Sequence, residues 1–236
     1  MNMIVLDTTE STNTALKEIL NSGAAPVGAA CYSENQTSGY GRRGRFWHSE
    51  KGKNIALSLS LEPFKGDELI SLMAGVAVLG ALRDICGNLP FALKWPNDIL
   101  LADKKLAGIS CEKIFTGNVQ TIILGIGINV NNTDFPEGLV DRAISLRQQT
   151  GKDRDLTQLR DAIIHEIYYW LDRQAHEVLQ AVRRECINLG QHVRIVNEDK
   201  LISEGIATDI DEDGGIVIIT DTDTPQKYHS GEISLR

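Results

Sequence analysis

The first 188 residues alternate between strand-like and helix-like hydrophobic patterns. Short apolar or alternating runs predict strands over 3–7, 29–34, 54–61, 91–95, 98–101, 106–114 and 119–130. Apolar positions at helical spacing predict helices over 11–20 and 67–86, and two further helical segments between 156 and 189. The run 119–130 is long and rich in β-branched residues, so we expect it near the centre of the sheet. The stretch 131–154 is polar and predicted to be irregular.

Two turns join neighbouring predicted strands, and the pattern changes after Gly190. The segment ADKK (102–105) is predicted to close a hairpin, and Asp213-Gly214-Gly215 is predicted to close another. Beyond Gly190 only short strand-like segments follow: HVRIVN, LISEGIATDI, GGIVIIT and KYHSGEISLR. They predict a small β-barrel, so we expect two domains, covering 1–188 and 189–236.

Length and composition are those of an ordinary globular protein. A chain of 236 residues with 42% hydrophobic and 24% charged positions can bury a sizeable core in one or two domains. Its four cysteines are scattered without a CxxC pair, which favours reduced thiols over a disulfide framework or a zinc site. We find no signal peptide and no run of ~18 apolar residues that would span a bilayer. The expected location is therefore the cytoplasm, without membrane contact.

The segment GYGRRGRFWHSEKGK (39–53) is basic within an acidic chain. Three arginines and two lysines against one glutamate give +5 − 1 = +4, whereas the whole chain carries −8. A local field of this sign indicates an anionic ligand, and the simpler interpretation is a solvated loop. GYGRRG matches GxGxxG, but a loop and a strand follow it, where a dinucleotide site requires a helix. The segment suits a loop that folds over a nucleotide or one that follows a nucleic-acid backbone.

A second charged cluster is predicted in KWPNDILLADKKLAGI (94–109). The predicted hairpin folds Lys94 and Lys105 back towards each other, and Asp98 follows the proline bend beside them. Two lysines and a carboxylate near one bend suit a reaction between anions. The simpler interpretation is a hairpin with solvated lysines and with Asp98 as a turn former.

Several motifs occur in a fixed order along the chain: STN (11–13), Q-x-x-G-x-G-R-R-G-R-x-W (36–47), KWPND (94–98), KLAG (105–108), GIGIN (125–129) and GEISL (231–235). Together they closely resemble the biotin protein ligases over essentially the whole chain. The resemblance implies an α/β catalytic domain with a mixed sheet flanked by helices, followed by a small SH3-like β-barrel. It also implies two steps: biotin and ATP form biotinyl-5′-adenylate and pyrophosphate, and a carrier lysine then takes the biotinyl group.

The resemblance implies roles for individual residues. The catalytic residues would be Lys105, Arg42 and Asp98. The biotin pocket would comprise Ser11, Thr12, Gln36, Gly39, Tyr40, Arg42 and Lys105. The ATP side would comprise Arg42, Arg45, Trp47, Lys94 and Asn129, with Mg²⁺ bound mainly through the phosphates and no protein metal ligand assigned. Taken alone, Ser11 is equally a helix cap and Asn129 is equally a strand-end turn residue.

One position departs from the family pattern, because many members have arginine where this chain has Tyr40. If that guanidinium contributes charge to the site, Arg43 or Lys105 must supply it here. The implied partner is the biotin carboxyl carrier protein of acetyl-CoA carboxylase or of a related biotin enzyme, and a homodimer remains open. Because the first-helix motif already begins at Ser11, we expect no DNA-binding role.

Two other functions are compatible with parts of the sequence. A lipoate-type acyl-adenylating ligase would share the fold, although the arginine loop together with KWPND favours biotin. A nucleic-acid-binding module would use the basic loop and would bind with steep salt dependence. That second alternative gives no reason for Asp98 or for the C-terminal β segments.

Overall fold

The computed structural model of the chain describes residues 1–116, 119–197, 200–221, 224–229 and 231–235. The helices are α1 (Thr12–Asn21), α2 (Ile70–Cys86), α3 (Leu146–Thr150), α4 (Leu156–Leu171) and α5 (Ala175–Glu185). The first seven strands are β1 (Met3–Leu6), β2 (Ala30–Ser33), β3 (Asn54–Leu61), β4 (Phe91–Lys94), β5 (Asp98–Leu101), β6 (Lys104–Thr116) and β7 (Val119–Asn129). The last five are β8 (His192–Asn197), β9 (Lys200–Ile210), β10 (Ile216–Ile219), β11 (Pro225–Tyr228) and β12 (Glu232–Leu235).

The strands form two sheets. The first is mixed, with the order β1-β2-β3-β7-β6-β5-β4, and the second has the order β11-β10-β9-β8-β12. Strand β7 is the fourth of seven, which confirms its predicted central place. The mixed sheet with flanking helices, followed by a small antiparallel β domain, confirms the predicted fold class.

Three details of the predicted elements are wrong. The hairpin after β5 turns on Ala102 and Asp103 alone, both at positive φ (48° and 64°), so the two lysines of ADKK begin β6. The polar stretch 131–154 contains α3, because Ser145 caps it by accepting a hydrogen bond from the Gln148 amide. The terminal segment KYHSGEISLR holds parts of two strands, β11 and β12, where one was expected.

The chain divides into two compact units. One comprises Met1–Lys65 and Leu100–Ala162, and the other comprises Gly66–Ile99 and Ile163–Arg236. The division of the chain at residues 188 and 189 stays a prediction.

In the first unit, the antiparallel strands β3, β7 and β6 have two chemically different faces. One face is apolar and buried, with Ile55, Leu57, Leu59, Leu124, Ile126, Ile128, Ala107 and Ile109. Because successive side chains of a strand point to opposite faces, the small and polar residues between them share the other face. Helix α1 packs against β2, β3 and β7, and its Leu16 and Leu20 form a core with Cys31 and Ile123.

In the second unit, α2 is buried along most of its length and packs against α5 and β4. With the short 3-10 turn before it, the segment Asp67–Cys86 is long enough to cross a bilayer, and its most apolar 18-residue stretch has a mean hydropathy of 1.8. This corrects the expectation that the chain lacks such a run. Because 67% of the segment's most apolar stretch is buried inside the protein, it serves as the core helix of this unit.

The Trp95 side chain fixes the KWPND segment within the second unit. Its indole is 1% exposed and Nε1 donates to the Gly214 carbonyl at 2.9 Å, in the turn between β9 and β10. The Trp95 amide donates to Asn188 Oδ1 at 2.8 Å. Asn188, before the predicted domain boundary, and Gly214, after it, therefore both hold the KWPND segment in place.

Candidate active site

The polar face of β3, β7 and β6 forms the floor of the candidate site. Across β3 and β7, the registered pairs on this face are Asn54 with Asn129, Ala56 with Gly127, and Ser58 with Gly125. Across β7 and β6, Gly127 pairs with Gly108 and Gly125 with Ser110. Glycine, alanine and serine at these positions leave the space above the sheet open to side chains from other elements.

At one end of this floor, two predicted biotin-pocket residues are in direct contact. The Thr12 amide and hydroxyl both donate to Gln36 Oε1, at 2.8 and 3.1 Å. Ser58 Oγ lies 2.8 Å from Thr12 Oγ1 and 2.6 Å from Asn13 Oδ1. Ser11 stands at the N-cap position of α1 and is buried, but its hydroxyl makes no capping hydrogen bond. Capping therefore does not account for this serine.

The arginine loop is folded back on itself as a small hairpin. Trp47 donates its amide to the Gly39 carbonyl at 2.7 Å, and the Gly41 amide donates to the Arg45 carbonyl at 2.8 Å. A Cβ on Gly39 would lie 2.6 Å from Gln36 Nε2 and 3.1 Å from the Trp47 carbonyl oxygen, so the loop backbone runs close to the pocket at this glycine. Arg45 at the tip is exposed and Arg42 is partly buried.

Trp47 lies over the two paired glycines of the floor and beside the predicted catalytic lysine. A Cβ on Gly127 would lie 2.6 Å from its ring atom Cε2, and one on Gly108 would lie 3.2 Å from Cζ3. Lys105 Nζ is 5.7 Å from the centroid of the ring, within the range of a cation–π contact. The Lys105 backbone is fixed to the segment after β7 through Arg142 and Ile144.

The structure places Asn129 in a buried amide cluster. Asn54 Nδ2 donates to Asn129 Oδ1 at 3.2 Å and to Asn132 Oδ1 at 3.0 Å, and Asn132 Nδ2 donates back to Asn54 Oδ1 at 3.1 Å. The Glu50 amide, at the end of the arginine loop, also donates to Asn54 Oδ1 at 2.9 Å. Asn129 is therefore a fixed part of the floor, and a turn-forming role does not explain its contacts.

The other two predicted site residues belong to the second unit. Lys94 is the last residue of β4 and Asp98 is the first of β5, and both are partly buried. Their approach to Lys105, which the sequence suggested, stays a prediction.

Comparison with known proteins identifies the family. The sequence profile of the Biotin/lipoate A/B protein ligase family matches residues 5–129, more than half of the chain. The chain belongs to this ligase family. A second profile, the biotin protein ligase C terminal domain, matches residues 189–236.

Curated members of the ligase family align with much of the chain. The bifunctional ligase/repressor BirA of Bacillus subtilis is 35% identical over 184 residues, which are 75% of this chain and 55% of BirA. The alignment thus spans about half the length of that relative. Escherichia coli BirA is 33% identical over 243 residues, covering 100% of this chain and 74% of the relative. The biotin--[acetyl-CoA-carboxylase] ligase of Paracoccus denitrificans is 31% identical, covering 91% and 92%.

Solved structures of family members superpose closely. The biotin protein ligase of Aquifex aeolicus in complex with biotin and ATP has a TM-score of 0.86 and is 33% identical, covering 100% of this chain and 98% of that one. Its apo structure has a TM-score of 0.81 and is 30% identical, with the same coverage.

In this ligase-family chain, several residues of the site face went unrecognised in the sequence. They are Asn13, Lys17, Asn54, Ser58, Ser110 and Glu112. Asn13 and Lys17 lie on α1, and Asn13 belonged to the STN motif without an assigned role. For the four strand residues the signal was present as alternation, because NIALSLSL and GISCE place a small or polar residue at every second position. We interpreted that alternation as strand structure alone, whereas its polar half forms the site.

Two further features describe what the site offers a ligand. Trp47 Nε1 is buried and has no hydrogen-bond partner within the described part of the chain, so an acceptor on a ligand would satisfy it. Among the same residues, no group of three or more His, Cys, Asp or Glu side chains is placed to hold a metal ion.

Proposed function

We propose that the chain is an ATP-dependent biotin protein ligase. It forms biotinyl-5′-adenylate and then transfers biotin to a lysine of a biotin carboxyl carrier protein in the cytoplasm. The observation that carries the proposal is the arrangement on one sheet face, with the Thr12–Gln36 pocket at one end and the Trp47–Lys105 pair over the paired glycines. The similarity to the Aquifex aeolicus enzyme with biotin and ATP supports it.

The neutral polar end of the floor suits the ureido head of biotin. A ureido group has one carbonyl acceptor and two N–H donors. Thr12, Gln36 and Ser58 supply hydroxyl and amide groups within a cluster that is already hydrogen-bonded. The dithiolane ring of lipoate offers no comparable donor or acceptor. Lipoate would therefore form none of the hydrogen bonds that the ureido group forms here, and a site built to hydrogen-bond its substrate discriminates against an analogue that lacks these groups.

The basic end suits a reaction between two anions. A biotin carboxylate oxygen forms a bond to the α-phosphorus of ATP, and the bond to the pyrophosphate leaving group breaks. Arg42, Arg45 and Lys105 hold positive charge where carboxylate and phosphate must meet, and preorganised charge of this kind is usually the largest catalytic term. A Mg²⁺ ion would be held mainly by the ATP phosphates and would neutralise part of their negative charge. Trp47 and Asn129 border the nucleotide side.

The second step requires a neutral amine. The ε-amine of the carrier lysine attacks the acyl carbon, and the bond to the AMP leaving group breaks. Free lysine has a pKa of about 10.4, so most of it is protonated at neutral pH. In this proposal Asp98 draws in the ammonium group and accepts its proton. Lys94, four residues earlier, serves the phosphate side.

Exchange of labelled pyrophosphate into ATP isolates the first step. We expect wild-type exchange to require biotin, and lipoate to support little or none. Lys105→Ala should reduce exchange roughly 10²-fold or more, because it removes charge that acts at the reaction centre. Exchange driven by lipoate and unaffected by biotin would replace this proposal with a lipoate ligase. The absence of DNA binding stays a prediction, and a homodimer stays open.

A further inference from the structure

The first leg of the arginine loop is held by an ion pair outside the predicted site residues. Lys17 Nζ on α1 lies 2.6 Å from Glu112 Oε2 on β6. Lys17 also donates to the Tyr40 hydroxyl at 3.2 Å, and that hydroxyl donates to Glu112 Oε1 at 3.4 Å. The Lys17 ammonium is 5.8 Å from the Tyr40 ring centroid. Three elements, α1, β6 and the loop, therefore meet at these three side chains.

This cluster differs from an ordinary surface pair. The side chains of Lys17 and Glu112 are only 23% and 34% exposed. Burial acts to lower the pKa of Lys17, but the hydrogen bonds to Glu112 and Tyr40 together outweigh it and raise the pKa. Lys17 therefore remains a cation beside the loop. The charge next to Tyr40 comes from Lys17 on α1, whereas the sequence had suggested Arg43 or Lys105 as its source.

A continuous chain of hydrogen bonds joins this cluster to the biotin pocket. Glu112 Oε1 accepts a hydrogen bond from Asn13 Nδ2 at 3.1 Å. Asn13 Oδ1 contacts Ser58, and Ser58 contacts Thr12, which in turn donates to Gln36 Oε1. A Cβ on Gly125 would lie 2.4 Å from Asn13 Oδ1 and 2.5 Å from Ser110 Oγ, so a larger residue there would displace both side chains. A movement of Tyr40 would therefore be transmitted through this chain to Thr12 and Gln36 in the biotin pocket.

The loop is thus anchored on both legs. Its second leg is fixed by Trp47 on the glycine floor, and its first leg by Tyr40, which pairs with Phe46 across the loop. Between them lies the turn Arg42–Gly44, which carries the guanidinium groups. Release of Tyr40 would remove the anchor of the first leg.

We propose that Lys17, Tyr40 and Glu112 form a latch that seats the loop against α1 and β6 and thereby sets the affinity for biotin. The latch residues are positioning residues, because they act through Gly39, Arg42 and the Thr12–Gln36 pocket. This inference rests on the proposed biotin ligase function. One consequence follows. A cation must stand beside Glu112, and it can be supplied either by helix α1 or by the loop.

The test compares Lys17→Met with the double variant Lys17→Met/Tyr40→Arg. In the double variant the cation is moved from α1 to the loop, where an arginine fork can pair with Glu112. Loss of a charged hydrogen bond predicts a biotin KM about tenfold higher in Lys17→Met, with kcat at saturating biotin changed less than about threefold. The double variant should return KM to within about threefold of wild type. Asp7→Asn, which breaks the exposed Lys51–Asp7 pair, is the matched control and should leave KM unchanged.

A second measurement does not depend on the reaction. Amide hydrogen exchange over residues 39–47 in the ligand-free protein should be faster in Lys17→Met and restored in the double variant. Tyr40→Phe removes only the hydroxyl and provides a mild variant if Lys17→Met folds poorly; it should show the same changes to a smaller degree. Unchanged KM and unchanged exchange in Tyr40→Phe and Lys17→Met would overturn the latch. If wild type shows no biotin-dependent activity, the proposed function fails, and amide exchange alone decides whether the latch exists.

Discussion

Trp47 occupies the space above Gly127 in which the Cβ of any other residue would stand. A Cβ at position 127 would lie 2.6 Å from Cε2 and 2.8 Å from Nε1 of the indole. The paired glycine on β6, Gly108, supports the same ring. The Trp47 ring therefore packs here only because these two floor positions carry no side chain, and the position of the loop that carries Trp47 depends on both glycines.

Gly127→Ala is expected to displace Trp47 and weaken ATP binding. The clash involves a rigid ring, so it cannot be relieved by rotation of a flexible chain end, and the loop must shift. We expect the KM for ATP in pyrophosphate exchange to rise about tenfold or more, because a small displacement of a ligand-positioning group lowers activity steeply. In the double variant Gly127→Ala/Trp47→Leu, the smaller leucine side chain should relieve most of the clash, but the indole is then also absent. An ATP KM equal to that of wild type in Gly127→Ala would show that Trp47 has no part in nucleotide binding.

Asn54→Ala is expected to destabilise the first unit. Asn54 satisfies Asn129, Asn132 and the Glu50 amide from a buried position. Leaving these groups unpaired costs about 1–3 kcal/mol in the free energy of unfolding. Urea titration measures the change, and Asn21→Ala, at the exposed end of α1, should stay within about 0.5 kcal/mol of wild type. Equal midpoints for both variants would mean that the amide cluster is energetically neutral.

Trp95→Phe is expected to loosen the KWPND segment from the turn between β9 and β10. The change keeps most of the buried ring but leaves the Gly214 carbonyl without its indole donor. We expect a loss of about 1–3 kcal/mol in the free energy of unfolding, because a buried acceptor is left unpaired. Trp170→Phe, on α4, provides the comparison at a partly buried tryptophan. If the two substitutions cost the same, the Trp95–Gly214 hydrogen bond does not anchor this segment.

Asp98→Asn is expected to separate the two half-reactions. The amide keeps the shape of the side chain but loses the charge that attracts the carrier ammonium and takes its proton. Transfer from preformed enzyme–adenylate should fall 10²–10⁴-fold, as is usual for loss of a general base, while pyrophosphate exchange falls modestly. The deficit should shrink from pH 7 to pH 10, because the fraction of neutral attacking amine rises with pH.

The matched control for Asp98→Asn is Asp103→Asn in the hairpin turn. Asp103 has φ 64°, a conformation that asparagine also tolerates, so this change removes a nearby carboxylate without straining the backbone. Transfer by Asp103→Asn should match wild type. Wild-type transfer by Asp98→Asn would leave Asp98 as a turn residue, and equal losses in both half-reactions would indicate a structural role.

The element pattern was predictable from the sequence because it depends on local periodicity. Alternation over 54–61 and the β-branched run 119–130 predicted β3 and β7, including the central place of β7. The hairpin after β5 was predicted at ADKK, but the turn takes only Ala102 and Asp103, and no local signal showed that both lysines already belong to β6.

The contacts of the site were less predictable because they depend on strand register and on partners distant in sequence. Lys17 and Glu112 are 95 positions apart, and Asn54 and Asn129 are 75 apart. No local signal shows that such residues meet. The loop motif and KWPND were recognisable as chemistry, whereas the polar network beneath them required the three-dimensional pairing of β3, β7 and β6.

The most direct test of the proposed function is the intact mass of a purified biotin carboxyl carrier domain after incubation with this protein, biotin and Mg·ATP. The account predicts a mass increase equal to one biotinyl group, located on a single lysine. The increase should be absent without ATP and absent when that lysine is replaced by arginine. An unmodified carrier, or a carrier that gains lipoyl groups when lipoate replaces biotin, would contradict the account.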